Sequence, residues 1–175
     1  FARVGKVAEG AALMTETQVE MKVEYGCCEM QENHEFGDLA YENLKAAELP
    51  VFDEEEMAFA NRLLESVSDA DKEKAQKLYE TEGKPMVWKL NSRSLYEINP
   101  LTASSDSGDV SHMMPMCAIS TSCWPAGVAP HTWQSAAAAG SSLGETGALC
   151  AAQVIAGIAY DLYNKPEVRE DHLKE

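Results

Sequence analysis

From about Glu145 to Tyr163 the sequence reads as one helix with apolar residues on both sides. Leu149, Ala152, Ile155, Ala156, Ala159 and Leu162 fall on one face, while Ala151, Val154 and Ile158 make the opposite side apolar too. A helix that is apolar nearly all round is buried between layers. The chain is therefore expected to fold as a layered domain with this helix in its core, and Ile155 is expected to be a core residue. No stretch approaches the about 20 consecutive apolar residues of a membrane helix, so the run is read as core rather than as a span.

The other layers are read from shorter patterns. Val19, Met21, Val23 and Tyr25 alternate with Glu20, Lys22 and Glu24, which is the pattern of a half-buried strand on a sheet with one solvated face. Short apolar pieces such as Met116 to Ile119 look like buried strands between loops, in a stretch from Leu90 to about Pro130 rich in Ser, Gly, Pro and Asp. Helices are expected over residues 3–14, over 34–47 behind an Asn33 cap and ahead of Pro50, and after two capping boxes, Asp53 with Glu56 and Ser68 with Asp71. The second box opens a polar helix that stops near Gly83. The mixture of helix and strand predicts a soluble α/β fold, and a change of architecture near Gly26 to Asn33 predicts two pieces.

Charge narrows the partners. With 29 acidic and 14 basic residues the formal charge is −15, a surface that repels phosphate backbones and anionic lipid. Nucleic acid and membrane are therefore not expected as partners. The N-terminal residues FARVGKVAEGAALM have no apolar signal region, and the lack of an initiator Met makes the chain look like a piece of something longer. Five cysteines, an odd number with no C-x-x-C spacing, indicate reduced thiols and a cytoplasmic location rather than a disulfide framework or a zinc knuckle.

Two places carry candidate chemistry. His131, in GVAPHTWQ, sits in a Pro-fixed loop, where a histidine is either structural or a metal ligand. The loop TASSDSGDVSH at 102–112 gathers Ser104, Ser105, Asp106 and Asp109, short polar side chains that either bind a polar ligand or bond their own backbone in Asx-type turns. His112, beside that loop, reads as a hydrogen-bonded core or rim histidine. His34 reads as exposed at a helix start, and His172 as solvated in a charged tail. No H-E-x-x-H, G-x-S-x-G or Gly-rich phosphate loop is present.

Three blocks taken together resemble the aminobenzoyl-glutamate utilisation branch of the metallo-aminoacylase and carboxypeptidase superfamily. They are VGKVAEGAALMTETQVEMKV, ASSDSGDVSHMMP and CWPAGVAPHTWQSAAAAGSSLGETGALCAAQVIA. The resemblance covers nearly the whole chain. It implies the C-terminal half of a zinc-peptidase-like catalytic domain (29–175) preceded by the end of an α+β lid or dimerisation domain (1–28). It also implies a homodimer and a site holding two divalent metal ions, manganese or zinc. By this resemblance His131 falls on a metal-binding histidine, and Ser104, Ser105, Asp106 and Asp109 fall on a loop lining the substrate pocket. Ala103 stands where a Gly is common, and His112 where an aromatic residue is frequent. The implied activity is hydrolysis of an amide bond in an aminobenzoyl or other N-acyl amino acid, or in a short peptide. The remaining ligands and the general base are not in this sequence, so the fragment alone is expected to be inactive. The competing reading is a non-catalytic binding or oligomerisation module that retains the fold.

Overall fold

A computed structural model describes residues 1–31, 33–88, 90 and 105–167. Local signals fix most of its helices. Helix α1 (Ala2–Met14) has no side-chain cap at its start and buries none of its residues, so Val4 and Val7 face solvent. Helix α2 (His34–Ala46) starts where the Asn33 side chain accepts the Phe36 N–H at 2.7 Å, and buries Leu39 and Ala40. In α3 (Glu54–Glu65) the expected capping box is closed on both sides, Glu56 N–H to Asp53 at 2.8 Å and Asp53 N–H to Glu56 at 2.9 Å. These bonds satisfy amide donors that no helical carbonyl can reach. Helix α4 (Asp69–Tyr79) is capped by Ser68 and ends at Glu80, which takes a left-handed backbone with φ of 50°.

The short α5 (Ser107–Ser111), α6 (Trp133–Ala139) and the long α7 (Ser142–Asn164) complete the described elements. Two apolar clusters join α2, α3, α6 and α7. One joins Ala60 and Leu63 of α3 to Met86, Ala138 of α6 and Leu143 of α7, with Phe52, Met57 and Phe59 packed on its edge. The other joins Leu39 and Ala40 of α2 to Val154 and Ile158 of α7, with Cys117 and Ile119 packed against it. The α2–α7 contact is also interlocked by polar groups. Asn43 donates to Asp161 at 3.0 Å, and Gly157 leaves room for it, since a Cβ there would overlap the Asn43 amide oxygen.

The α/β expectation is overturned, and with it the zinc-peptidase-like domain and its α+β lid. The described residues are helices and irregular segments, with no strand or sheet among them. Alternation alone does not make a strand. It needs a neighbour whose backbone groups pair with its own. Residues 19–25 have none, and Val19, Met21, Val23 and Tyr25 are all exposed. Met116 to Ile119 is likewise unpaired, although Cys117 and Ile119 do turn inward onto α2 and α7.

A second correction concerns α7. It is the one described helix long and apolar enough to cross a membrane by length and composition. It packs on one side only, through Gly147, Cys150, Val154 and Ile158. Most of the face expected to lead the core is turned outward, with Leu149 67% and Ile155 58% exposed, while Leu162 packs against the α2 cluster. Because both sides are apolar, periodicity alone could not choose between them.

Candidate functional site

The polar loop at 105–112 folds onto itself first. Ser107 N–H donates to Ser105 Oγ at 3.2 Å, and the Gly108 and Asp109 amides donate to the carbonyls of Ser105 and Asp106. This is the local turn chemistry that short hydroxyl side chains favour. It starts α5 with the Asp106 carboxylate exposed and unused as a cap. Ser104 lies outside the described residues.

The helix then docks on residues 28–31, some eighty positions away in sequence. Asp109 Oδ1 accepts the Cys28 N–H at 2.8 Å, and Ser111 Oγ accepts the Gln31 N–H at 2.9 Å while donating to the Gly108 carbonyl at 2.6 Å. His112 Nε2 lies 3.0 Å from the Glu29 carbonyl, which can only accept, so this nitrogen carries the proton. Gly108 is needed at the contact, because a Cβ there would overlap the Cys28 carbonyl oxygen. Three side chains of one turn therefore satisfy three backbone groups of an irregular segment. We call this arrangement the clasp.

The electrostatics of the clasp are one-sided. The Cys28 N–H, then the Cys28 thiol and the nearby His112, hold the Asp109 carboxyl below its ordinary range against a smaller opposing effect of burial. The same hydrogen bond from the Cys28 thiol to Asp109, aided by burial and the negative charge, pushes that thiol up. Both shifts keep the carboxylate ionised and the proton on sulfur, which suppresses thiolate reactivity at Cys28.

His131 is exposed in the turn before α6. Thr132 closes that turn by donating to the Ala129 carbonyl at 2.8 Å, and forms a capping box with Ser135. Gln134 donates to Ser66 Oγ at 3.1 Å, tying α6 to the end of α3. His131 itself is exposed, with a left-handed backbone at φ of 61°. Such a conformation is uncommon away from glycine and concentrates at functional positions. Among the described residues neither ring nitrogen of His131 has a hydrogen-bond partner, and no hydrogen bond links it to Ser105, Asp106 or Asp109.

These residues fit one ligand of a metal site rather than a complete one. An exposed imidazole with free nitrogens can coordinate. Among the described residues no group of three His, Cys, Asp or Glu side chains is arranged to hold a metal ion. Sequence reading placed His112 correctly as a hydrogen-bonded rim histidine. It missed Cys28 and Ser111, whose roles depend on a contact across the chain. Asp109, read as pocket-lining, has its Oδ1 engaged in the clasp, while Asp106 faces solvent.

Comparison with known proteins adds one relative. No protein-family model matches the chain, and no solved structure matches it significantly. Over 175 aligned positions it is 31% identical to a p-aminobenzoyl-glutamate hydrolase subunit of Escherichia coli (strain K12). The match takes in 93% of this chain and 36% of that protein, so the chain spans little more than a third of the relative's length. The resemblance carried by the three sequence blocks is thereby shown: this chain is a homologue of that hydrolase subunit, matched in a way consistent with a C-terminal part.

Proposed function

We propose that this chain is one part of a metal-dependent amidohydrolase that cleaves the amide bond of an aminobenzoyl-type or other N-acyl amino acid, or of a short peptide. The observation that carries this reading is the 31% identity to a hydrolase subunit along 93% of the chain. The exposed, left-handed His131 supports it. In this reading His131 would hold one of two divalent ions, manganese or zinc, with the other ligands supplied from outside the described residues. Such an ion, when bound, acidifies a water and so provides a nucleophile strong enough for an amide at neutral pH.

The chain's own residues then have narrower tasks. The Thr132 turn and its capping box fix the backbone that presents the imidazole. Asp106 and Ser105, at the open end of α5, offer a carboxylate and a hydroxyl to the polar groups of a substrate. The clasp positions that open end by anchoring the other end of α5 to residues 28–31. The isolated chain is expected to be inactive, and the intact protein to be a homodimer in the cytoplasm.

His131→Ala in the intact hydrolase should lower bound metal and turnover together while leaving the helical content unchanged. Excess metal should restore part of the activity. Unchanged metal stoichiometry and rate would remove His131 from the site and favour a non-catalytic module.

A further inference from the structure

Residues 121–123 run across the inner side of α7 and bring a thiol with them. Ser122 Oγ donates to the Val87 carbonyl, and the Thr121 hydroxyl lies 3.7 Å from Cys123 Sγ, so the segment is held on both sides of its backbone. The Cys123 sulfur fills the notch left by Gly147. A Cβ at that glycine would stand 2.6 Å from Cys123 Sγ and 2.5 Å from the Ser122 carbonyl oxygen. Cys150 follows one turn later on the same buried face of α7. Its Cα–Cβ bond tilts toward the helix N-terminus, so its thiol leans back over the turn that begins at Gly147. Both thiols are free.

The other cysteines have different surroundings. Cys27 and Cys28 are exposed, and the Cys28 thiol is engaged by Asp109. Cys117 packs against the cluster between α2 and α7, and burial alone pushes its thiol up. At Cys150 burial is again the larger cause, and the negative charge of Cys123 adds to it, which marks the two as neighbours. Cys150 is 3% exposed, whereas Cys123 is half-buried and keeps part of its surface in water. One thiol of the pair meets solvent and the other stands behind it.

We propose that Cys123 and Cys150 are a disulfide-forming site, closed by thiol–disulfide exchange with a low-molecular-weight disulfide of the glutathione class. The Cys123 thiol gives its proton to water, and its thiolate attacks one sulfur of the small disulfide. That S–S bond breaks, one small thiolate leaves and takes up a proton, and Cys123 carries the mixed disulfide. Forming it removes the Cys123 charge that opposes ionisation of Cys150. The Cys150 thiol then loses its proton to water and attacks the Cys123 sulfur, expelling the second small thiol. Two protein thiols are oxidised, and one small disulfide is reduced to two thiols. The new bond closes a ring from Cys123 to Cys150 that contains the His131 turn and α6, so the segment presenting His131 is fastened to α7 at both ends. The site stands on its own geometry and does not depend on a metal at His131.

The 175-residue chain is incubated with oxidised glutathione, digested without reductant and mapped by mass spectrometry. The expected product has lost two hydrogen atoms and yields a linked peptide pair containing Cys123 and Cys150. Cys150→Ser should stop at the mixed disulfide on Cys123, and Cys123→Ser should leave Cys150 reduced. Where Cys150→Ser lowers the helical content, Cys123→Ser, at the half-buried position, carries the comparison. Closing the ring should raise the midpoint of thermal unfolding by roughly 5–10 °C. It should also slow hydrogen exchange at the Ser135 and Ala136 amides. A parent chain that stays reduced, a mixed disulfide that persists on its Cys123, or cross-linking in which Cys27, Cys28 or Cys117 replaces either partner overturns the proposal. An unchanged midpoint and unchanged exchange after closure overturn the fastening of the His131 segment.

Discussion

Val154→Ala and Ile155→Ala, at adjacent positions of α7, should have very unequal consequences for the isolated chain. Val154 is fully buried between Leu39, Ala40 and Ile158. Truncation removes two methyl groups, about 1.6 kcal/mol of transfer free energy at about 0.8 kcal/mol each. The space left behind, on the order of 50 Å³, adds about 1 kcal/mol at about 24 cal/mol per Å³ when the walls do not collapse. The total is about 2–3 kcal/mol, which lowers the melting temperature by roughly 5–10 °C in a domain of this size. Ile155 is 58% exposed, and alanine is the better helix former, so its truncation should stay within about 0.5 kcal/mol of the parent. Thermal and urea unfolding followed by circular dichroism measures both. Equal losses, or a larger loss at Ile155, would mean that α7 packs on α2 through its other face.

Asp109→Asn should raise the alkylation rate of Cys28, since the carboxylate that holds the thiol proton is lost; peptide-level mass spectrometry reads this directly. Gly108→Ala should open the clasp by steric contact with the Cys28 carbonyl, seen as faster hydrogen exchange at the Cys28 and Gln31 amides with the rest of the helices unchanged. The Asp161 carboxyl is held below its ordinary range by Lys165 and then by Asn43. Its folded-state pKa lies below the unfolded value of about 3.9, so its contribution is present above that value and fades as pH falls through the folded pKa. Asp161→Asn should flatten that acid limb of an unfolding titration, and an unchanged limb would show that Asp161 does not contribute to it.

What could be read from the sequence was what is local. Asn33, the Asp53–Glu56 box and Ser68 announce helix starts because a cap is satisfied within three residues. The strands failed because pairing is a property of two segments, and alternation at Val19 to Tyr25 says nothing about whether the second exists in the same chain. For α7 the helix was legible and its orientation was not, since Val154 and Ile155 are equally apolar. At the site, His131 was found through resemblance, whereas its left-handed turn leaves no mark in the sequence. Asp109, Ser111 and His112 stood out as polar neighbours. What they bind is three backbone groups some eighty residues upstream, which spacing does not encode.

Considered as polymer physics, the contact between Cys28 and Asp109 closes a ring of chain containing α2, α3 and α4, whose ends lie 81 positions apart. The entropy of closing such a ring grows only logarithmically, so doubling its contour would add about 0.6 kcal/mol. The same insertion placed between Gly108 and His112 would break three hydrogen bonds at once. Length variation among homologues should therefore gather within the ring, in segments such as those joining α2 to α3 and α3 to α4, while the turn that fastens it keeps its size.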